Sequence, residues 1–356
     1  MMNQSNNQNQ KNWRWPAEWE THRALWTSFP NRLETWGSAL EKAQEEFAQL
    51  LLAVSAVQSV EVCISSEQHR ATAQRVIKKF HSSFPDSNLD QIKFHQFPTK
   101  EAWIRDFGPI WLTNPHGEKL ALDHRFNTWG GKYPPFDQEN DIPTLICNLR
   151  NHQREAHDFI LEGGSVDTNG DGVVLTSEAC LLNQNRNSHL SKTEIEDHLK
   201  QVFRLKQVIW LGDGIAGDDT DGHIDDMTRF IAEDVILTAV ERNPKDVNYK
   251  ALQENWERLQ DVRLPGNRKP EIIPIAMPQP VVYEGERLPA SHLNFVFGNG
   301  CVFAPHFPAQ NTPGAKEAFE EAIKNYRPNT KVVWLDSTQI VVGRGSLHCL
   351  SMQEPA

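Results

Sequence analysis

The chain has 356 residues, a formal net charge of −11 at pH 7 and five cysteines. The acidic balance argues against a nucleic-acid partner, and five unclustered cysteines argue against a disulfide framework and a zinc site. No apolar run approaches the roughly 20 residues that a membrane helix needs, so we expect no membrane partner. The N-terminus, MMNQSNNQNQKN, is polar and lacks the apolar core of a signal peptide. We therefore expect a cytoplasmic protein with a disordered tail over 1–12.

Hydrophobic spacing divides the rest of the chain into short helices and strands. Helical spacing predicts four helices, at 38–57, 67–80, 192–203 and 313–326. Short apolar and β-branched runs predict strands at 60–65, 119–126, 172–177, 207–211, 228–240, 294–305, 331–336 and 339–343. Asn299-Gly300 predicts a hairpin turn between two apolar runs. No Pro, Gly or Ser-rich linker divides the chain, so we expect one α/β domain over 13–356. Part of 241–290 could form an excursion over a pocket.

Several predicted strands end in a polar residue set among glycines. These ends are WIRDFGP (103–109), ILEGG (160–164), DTDGHIDD (219–226) and VVGRGSLHC (341–349). The recurrence suggests repeated strand–helix units that present functional groups at their strand ends. Asp106 and Glu162 are each followed closely by glycine; either residue could bond its own turn or present a carboxylate to a ligand.

The segment 219–226 is interpreted as the start of a strand. Side chains two residues apart on a strand share a face, so His223 and Asp225 would point the same way. Such a pair could supply an acid/base beside a cation-binding carboxylate. A solvated, polar strand end fits the same letters.

Cys349 is a candidate nucleophile. Gly343 and Gly345 allow a close backbone approach, and a thiol with a lowered pKa can attack carbon. Taken alone, a single cysteine is more often a small buried hydrophobe. His348 would face away from Cys349 on a strand, which makes it a poor partner. We expect the other cysteines to pack in the interior: Cys63, Cys147, Cys180 and Cys301.

The stretch DTNGDGVVLTSE (167–178) matches the calcium loop of an EF-hand. The matching positions are Asp167, Asn169, Asp171, Gly172 and Glu178. An EF-hand also needs a helix on each side, whereas two glycines precede this stretch and its second half is β-branched. We favour a hairpin turn with polar side chains facing water over a calcium-binding module.

Taken together, the dispersed motifs resemble the agmatine deiminase branch of the guanidine-modifying (pentein) superfamily. The matching segments are PAEWETHRALWTSFP (16–30), EAWIRDFGPIWL (101–112), FNTWGGKY (126–133), LEGGSVDTNGDGVVLTSEACLLNQNRN (161–187), DDTDGHIDDMTRF (218–230), PASHLNF (289–295) and SLHCLSMQEP (346–355). The resemblance implies a five-bladed α/β propeller with pseudo-fivefold repeats around a central pocket. It also implies an enzyme without a metal or another cofactor.

The resemblance further implies a role for each site residue. Cys349 would be the nucleophile, His223 the acid/base and Glu162 its acidic partner. Asp106 and Asp225 would bind the guanidinium, and Trp103 would line the pocket.

The chemistry of a guanidinium suits this set. A guanidinium stays protonated at physiological pH, and two carboxylates can fix its plane with charge-assisted hydrogen bonds. Attack by Cys349, protonation of the departing nitrogen by His223 and hydrolysis of an S-alkylthiouronium would release ammonia and a urea. With agmatine the second product would be N-carbamoylputrescine, a precursor for putrescine and polyamine biosynthesis.

The substrate expected is a small cationic guanidine. Agmatine has a distal amine, for which Asp219 is the candidate carboxylate. Arg344 could pair with an acid, or it could read a substrate carboxylate, as could Arg186. A carboxylate reader would favour an arginine or peptidylarginine deiminase, and a non-catalytic guanidinium-binding protein is the alternative outside the enzymes. A homo-oligomer is possible.

Overall fold

The computed structural model describes residues 12–356. Apart from Asn12, the tail expected over 1–12 lies outside the described residues. The eighteen strands of the described part are β1 (His22–Ser28), β2 (Ser59–Cys63), β3 (Ile92–His95), β4 (Ile110–Thr113), β5 (Lys119–Arg125), β6 (Gln153–Ile160), β7 (Val166–Thr168), β8 (Val173–Ser177), β9 (Gln207–Leu211), β10 (Thr228–Ala232), β11 (Val235–Val240), β12 (Glu271–Ala276), β13 (Val282–Tyr283), β14 (Glu286–Arg287), β15 (Val296–Gly298), β16 (Cys301–His306), β17 (Lys331–Asp336) and β18 (Ser351–Pro355).

Over residues 12–356, five sheets share one pattern. Their strand orders are β18-β1-β2-β3, β4-β5-β6, β7-β8-β9, β10-β11-β12 and β15-β16-β17. In each sheet the first two strands are antiparallel and the next pair is parallel. The separate pair β13-β14 forms a small hairpin. The repeated pattern bears out the strand–helix units that the sequence suggested.

A helix links the strands of every parallel pair, because parallel neighbours need a crossover. The crossover helices are Leu40–Ser55, Glu67–Phe80, Asp137–Arg150, Lys192–Phe203, Tyr249–Asp261 and Ala315–Tyr326. Ser66 caps one of them by accepting from the His69 N–H. Ser191 and Glu194 form a capping box on another. β18 pairs with β1, so the last strand of the chain completes the first sheet.

The structure confirms most predicted elements and corrects others. The helices at 67–80 and 192–203 have the predicted bounds, and Asn299-Gly300 turns the β15–β16 hairpin. The run 228–240 is a hairpin, β10–β11, instead of one strand. The segment 241–290 holds a crossover helix, β12 and the β13–β14 hairpin.

The strand predicted at 339–343 is wrong, because Ile340–Gly343 is a short 3₁₀ helix. The Glu46 carboxylate, from the helix Leu40–Ser55, accepts from the backbone N–H groups of Gln339 and Ile340, at 2.9 and 2.8 Å. A tertiary contact thus takes the donors that a strand ladder would have used.

The stretch 167–178 contains the β7–β8 hairpin, as favoured. Asp171 and Glu178 are partly exposed, as predicted, whereas Asp167 and Asn169 are buried. Asp167 is buried and accepts from Arg229 Nε and the Phe230 N–H, at 2.7 and 2.8 Å. Asp171 pairs with Lys206, and Glu178 with Lys192. Arginine and lysine side chains already pair with these three carboxylates. The structure therefore does not support a calcium-binding loop here.

Among the described residues, no helix is long and apolar enough to cross a membrane.

Candidate active site

The candidate nucleophile lies in a turn over 347–350 that directly precedes β18. Its thiol is 3.0 Å from the Asn294 amide nitrogen and 3.7 Å from Asp225 Oδ2. The side-chain oxygen of Asn294, Oδ1, also accepts from the Cys349 N–H, at 3.3 Å. Asn294 therefore positions both the sulfur and the backbone of Cys349. A Cβ on Gly345 would lie 2.7 Å from the Trp103 ring, which explains the glycine at that position.

The two candidate guanidinium ligands are buried and close to the thiol. Asp106 lies on a one-turn helix, Ile104–Phe107, and accepts from Trp129 Nε1 at 2.9 Å and from the Gly164 N–H at 3.0 Å. Asp225 accepts from His348 through Oδ2, whereas its Oδ1 has no hydrogen-bond partner. A buried carboxylate oxygen without a donor can take an N–H of a bound cation.

His223 and Asp225 reach the site without lying on a strand, which corrects the sequence interpretation. His223 directly precedes a short 3₁₀ turn, Ile224–Asp226, and β10 begins only at Thr228. The two side chains still converge, because Gly164 has no side chain between them. A Cβ there would lie 2.6 Å from His223 Nδ1, 2.9 Å from Asp106 Oδ1 and 3.1 Å from Asp225 Oδ2.

Glu162 follows β6, at a strand end as expected. Its Oε1 accepts from Arg186 Nε at 2.7 Å, and its Oε2 has no partner. Neither ring nitrogen of His223 has a hydrogen-bond partner, although the ring is buried. A carboxylate oxygen of Glu162 and a ring nitrogen of His223 lie within 4.8 Å of each other. They are therefore neighbours in the site without a hydrogen bond between them.

Burial and crowded carboxylates set the charge states of the site. Burial, followed by the negative charges of Asp225, Asp226 and Asp106, raises the pKa of the Cys349 thiol well above its ordinary value. Burial lowers the pKa of His223 to about 3. The thiol and the imidazole are therefore both neutral at pH 7. A bound cation would offset the carboxylate charge and favour the thiolate.

His348, which the sequence treated as facing away from Cys349, is the partner of Asp225. Its Nδ1 lies 2.6 Å from Asp225 Oδ2 and its Nε2 lies 2.7 Å from Glu18 Oε2. Glu18 also accepts from Arg229 at 2.8 Å. Burial raises the pKa of Glu18, but the charges of His348, Arg229 and Arg105 outweigh it and hold the pKa well below its usual value. His348 thus links Asp225 to a buried, ionised carboxylate.

A cavity of about 130 Å³ leads from this centre outwards. It is lined by Arg32, Glu34, Thr35, Glu101, Trp103, Asp106, Trp129, Tyr133, Asp219, Thr220, Gly343, Arg344, Gly345 and Cys349. Asp219 accepts from the Tyr133 hydroxyl at 2.6 Å. Glu101 pairs with Arg32, and burial raises the pKa of Glu101 to about 7. The cavity therefore has several acids along its wall.

Comparison with known proteins agrees with the resemblance. The model of the Porphyromonas-type peptidyl-arginine deiminase family matches residues 14–355. The chain belongs to this family.

Proteins similar to this chain match almost all of its length. An agmatine deiminase of Ectopseudomonas mendocina is 31% identical, over 96% of this chain and 95% of that protein. An agmatine deiminase of Medicago truncatula is also 31% identical, over 96% of both chains. A solved C. jejuni agmatine deiminase with substrate bound has a TM-score of 0.85 at 32% identity and covers 97% of this chain and 96% of its own. The solved agmatine deiminase of Enterococcus faecalis has a TM-score of 0.87 at 30% identity, and the match covers 96% of both chains.

Arg186 and Arg344, the two candidates for binding a substrate carboxylate, both have partners within the protein. Arg186 is fully buried and donates to Glu162, Asn185, Asp221 and the Thr220 carbonyl. Because its N–H donors are bound to protein groups, Arg186 is not available to bind a substrate carboxylate, which corrects that prediction. Arg344 lines the cavity and pairs with Glu286, the acid pairing considered from the sequence.

Sequence reasoning missed Asn294, Trp129, Glu18 and the role of His348. Asn294 lies in PASHLNF and Glu18 in PAEWE, both of which belong to the matching motifs. Their membership in those segments was the available signal, but residue spacing could not connect them to the thiol. The structure does gather Cys349, His223, Glu162, Asp106, Asp225 and Trp103 around one centre, and Asp219 lines the cavity beside it.

Proposed function

We propose that this protein is an agmatine deiminase, which hydrolyses agmatine to N-carbamoylputrescine and ammonia. The observation that carries the proposal is a buried thiol 3.7 Å from Asp225, whose second carboxylate oxygen has no partner. Asp106 lies beside the same centre, and acids continue along the cavity wall. A substrate with a guanidinium at one end and an amine at the other matches that distribution of charge.

The first half of the reaction uses the cation to activate the thiol. Asp106 and Asp225 accept N–H groups of the guanidinium, and its positive charge lowers the pKa of the Cys349 thiol. The thiol proton passes to His223, whose ring nitrogens are unpartnered. The sulfur bonds to the guanidinium carbon. His223 then gives the proton to one guanidinium nitrogen. The bond between that nitrogen and the central carbon breaks, ammonia departs, and an S-alkylthiouronium remains on Cys349.

The second half returns the enzyme to its starting state. His223 takes a proton from a water molecule, and the resulting hydroxide adds to the thiouronium carbon. The C–S bond breaks as the new hydroxyl group passes its proton to the Cys349 sulfur, and N-carbamoylputrescine leaves. His223 releases its remaining proton to solvent, where the ammonia takes it up as ammonium. Glu162, held by Arg186 at 2.7 Å, stabilises the positive charge on His223 during both halves.

The outer cavity provides the choice of substrate. Asp219 binds the distal ammonium, with its carboxylate oriented by the Tyr133 hydroxyl. Trp103 forms part of the wall along the methylene chain. Arg344 is paired with Glu286 and so leaves no strong anchor for a substrate carboxylate. We therefore favour agmatine over free or peptidyl arginine.

The same proposal covers the architecture and setting. The five sheets are the blades of a propeller around this pocket and form one catalytic domain over 13–356. The reaction needs no metal and no other cofactor. Its product can feed putrescine and polyamine biosynthesis in the cytoplasm, and assembly into a homo-oligomer remains a prediction from the sequence.

One assay tests the proposal. Ammonia release is measured with agmatine, free arginine and a blocked arginine peptide, and kcat/KM is expected to be highest for agmatine. A tenfold preference for arginine, about 1.4 kcal/mol in transition-state stabilisation, would reject agmatine as the substrate.

The mechanism is tested with cysteine variants. Cys349→Ala should abolish turnover and still bind agmatine, whereas the buried-thiol control Cys301→Ala should stay active. Full turnover by Cys349→Ala would reject the mechanism.

A further inference from the structure

A second buried thiol adjoins the proposed acid/base. Cys180 lies on a short helix, Glu178–Leu181, and is fully buried. Its sulfur, a carboxylate oxygen of Glu162 and a ring nitrogen of His223 all lie within 4.8 Å of one another. Cys180 has no step in the reaction proposed above. The proposed reaction therefore accounts for the imidazole and the carboxylate of this cluster, but not for the thiol.

The potential ligand atoms are also short of partners. Glu162 Oε2 and both ring nitrogens of His223 are buried without a hydrogen bond. Most buried polar atoms in proteins do have a partner, so this concentration at one point requires an explanation. Arg186 holds Glu162 through the other oxygen, Oε1, at 2.7 Å. It thereby fixes the carboxylate from outside, as an outer-shell partner fixes a metal ligand.

The donor set has the composition of a zinc site. Zn²⁺ binds Cys sulfur, His nitrogen and carboxylate oxygen, and a site with three protein ligands keeps a fourth position open. Two charged side chains adjoin this set: Arg186 holds Glu162 at 2.7 Å, and Asp221 in turn pairs with Arg186 at 2.8 Å. We propose that Glu162, Cys180 and His223 form an inhibitory site for a thiophilic divalent cation, with Zn²⁺ the best match.

Inhibition follows from the ligands themselves. A metal on His223 occupies the nitrogen that must carry the proton between the thiol and the leaving group. It also places positive charge beside the carboxylates that bind the guanidinium, so metal and substrate should compete. Binding requires Cys180 to lose its proton, because the thiolate is the form that binds a metal. Metal affinity should therefore increase as the pH rises.

A second set in the pocket must be distinguished from the first. Asp225, Asp226 and Cys349 also offer ligand atoms within 4.8 Å of one another. That set has no imidazole, and hydrogen bonds already engage Asp225 with His348 and Asp226 with Asn294. The two sets differ in their thiol, so cysteine variants separate them.

The binding experiment uses Co²⁺ as the probe, because a thiolate bound to Co²⁺ gives a charge-transfer absorption in the near ultraviolet. The full-length Cys349→Ala variant should show this absorption, and adding Cys180→Ser should remove it. Absorption that persists without Cys180, or that is lost in Cys349→Ala alone, would overturn the site. His223→Gln in the Cys349→Ala background should also weaken binding. This second variant tests the proposal if Cys180→Ser fails to fold, and unchanged Co²⁺ affinity there would overturn it.

The inhibition experiment rests on the proposed function, whereas the Co²⁺ experiment does not, so their failures are distinguishable. Cys180→Ser should retain agmatine turnover and raise the Zn²⁺ inhibition constant by at least about tenfold, the lower end of the loss from removing even an outer-shell partner. The matched control is Cys63→Ser, a buried thiol on β2, which should be inhibited like the wild type. Equal inhibition of Cys180→Ser and wild type would reject the assignment.

Discussion

The buried pair between Glu18 and His348 offers a sharp test of how the site is held. Glu18 Oε2 accepts from His348 at 2.7 Å and from Arg229 at 2.8 Å, while Oε1 accepts from the Phe297 N–H at 2.8 Å. In Glu18→Gln an amide nitrogen replaces one of these oxygens. Whichever way the amide points, it turns a donor towards another donor and leaves a buried group unpaired.

Removing one partner of a buried ion pair costs about 3 to 5 kcal/mol. For a larger domain, each kcal/mol of lost stability lowers the Tm by at least about 2 °C. The Tm of Glu18→Gln should therefore fall by about 6 to 10 °C. His348 would also hold Asp225 less firmly, so kcat/KM for agmatine should fall by about tenfold or more. Calorimetry gives the Tm, and ammonia release well below the Tm gives kcat/KM.

Glu20→Gln is the matched control, two residues away with the same chemical change. Glu20 pairs with Arg14 near the surface, where its side chain is 34% exposed. Such pairs contribute about 0 to 1 kcal/mol. If Glu18→Gln and Glu20→Gln melt within about 2 °C of each other, the buried network does not stabilise the fold as described. If kcat/KM is unchanged, His348 does not position Asp225.

Three further predictions concern the cavity. Gly345→Ala would place its Cβ 2.7 Å from Trp103, so it should cost about 1 to 3 kcal/mol and reduce turnover; a wild-type Tm with full activity would contradict the packing described. Asp219→Asn should raise KM for agmatine far more than KM for an alkylguanidine without an amine, and equal changes would exclude Asp219 from binding the ammonium. The pKa of Glu101 is raised to about 7, so Glu101 becomes anionic as the pH rises through 7. KM for agmatine should fall over that range in the wild type, and Glu101→Gln should remove this component; an unaltered pH profile would exclude Glu101 as its source.

Local signals in the sequence were sufficient for the helices with strong caps. Ser66 and the Ser191–Glu194 box stand at the starts of helices whose bounds were predicted correctly. The Asn299-Gly300 turn was equally local. The helix Asp137–Arg150 was missed, since Pro143 interrupts its pattern and argues against a helix interior. Its place was set by the need to cross over between two parallel strands.

The sequence by itself determined which residues could do chemistry, because the thiol, the imidazole and the carboxylates stand in short motifs that also contain glycine. Tertiary structure alone decided what each of them faces. Glu18 and His348 are 330 residues apart, and Arg186 and Glu162 are 24 apart, yet a buried hydrogen bond joins each pair. Spacing along a chain fixes direction only within one element, whereas these partners come from different elements. Their charges act on one another because folding removes the water between them.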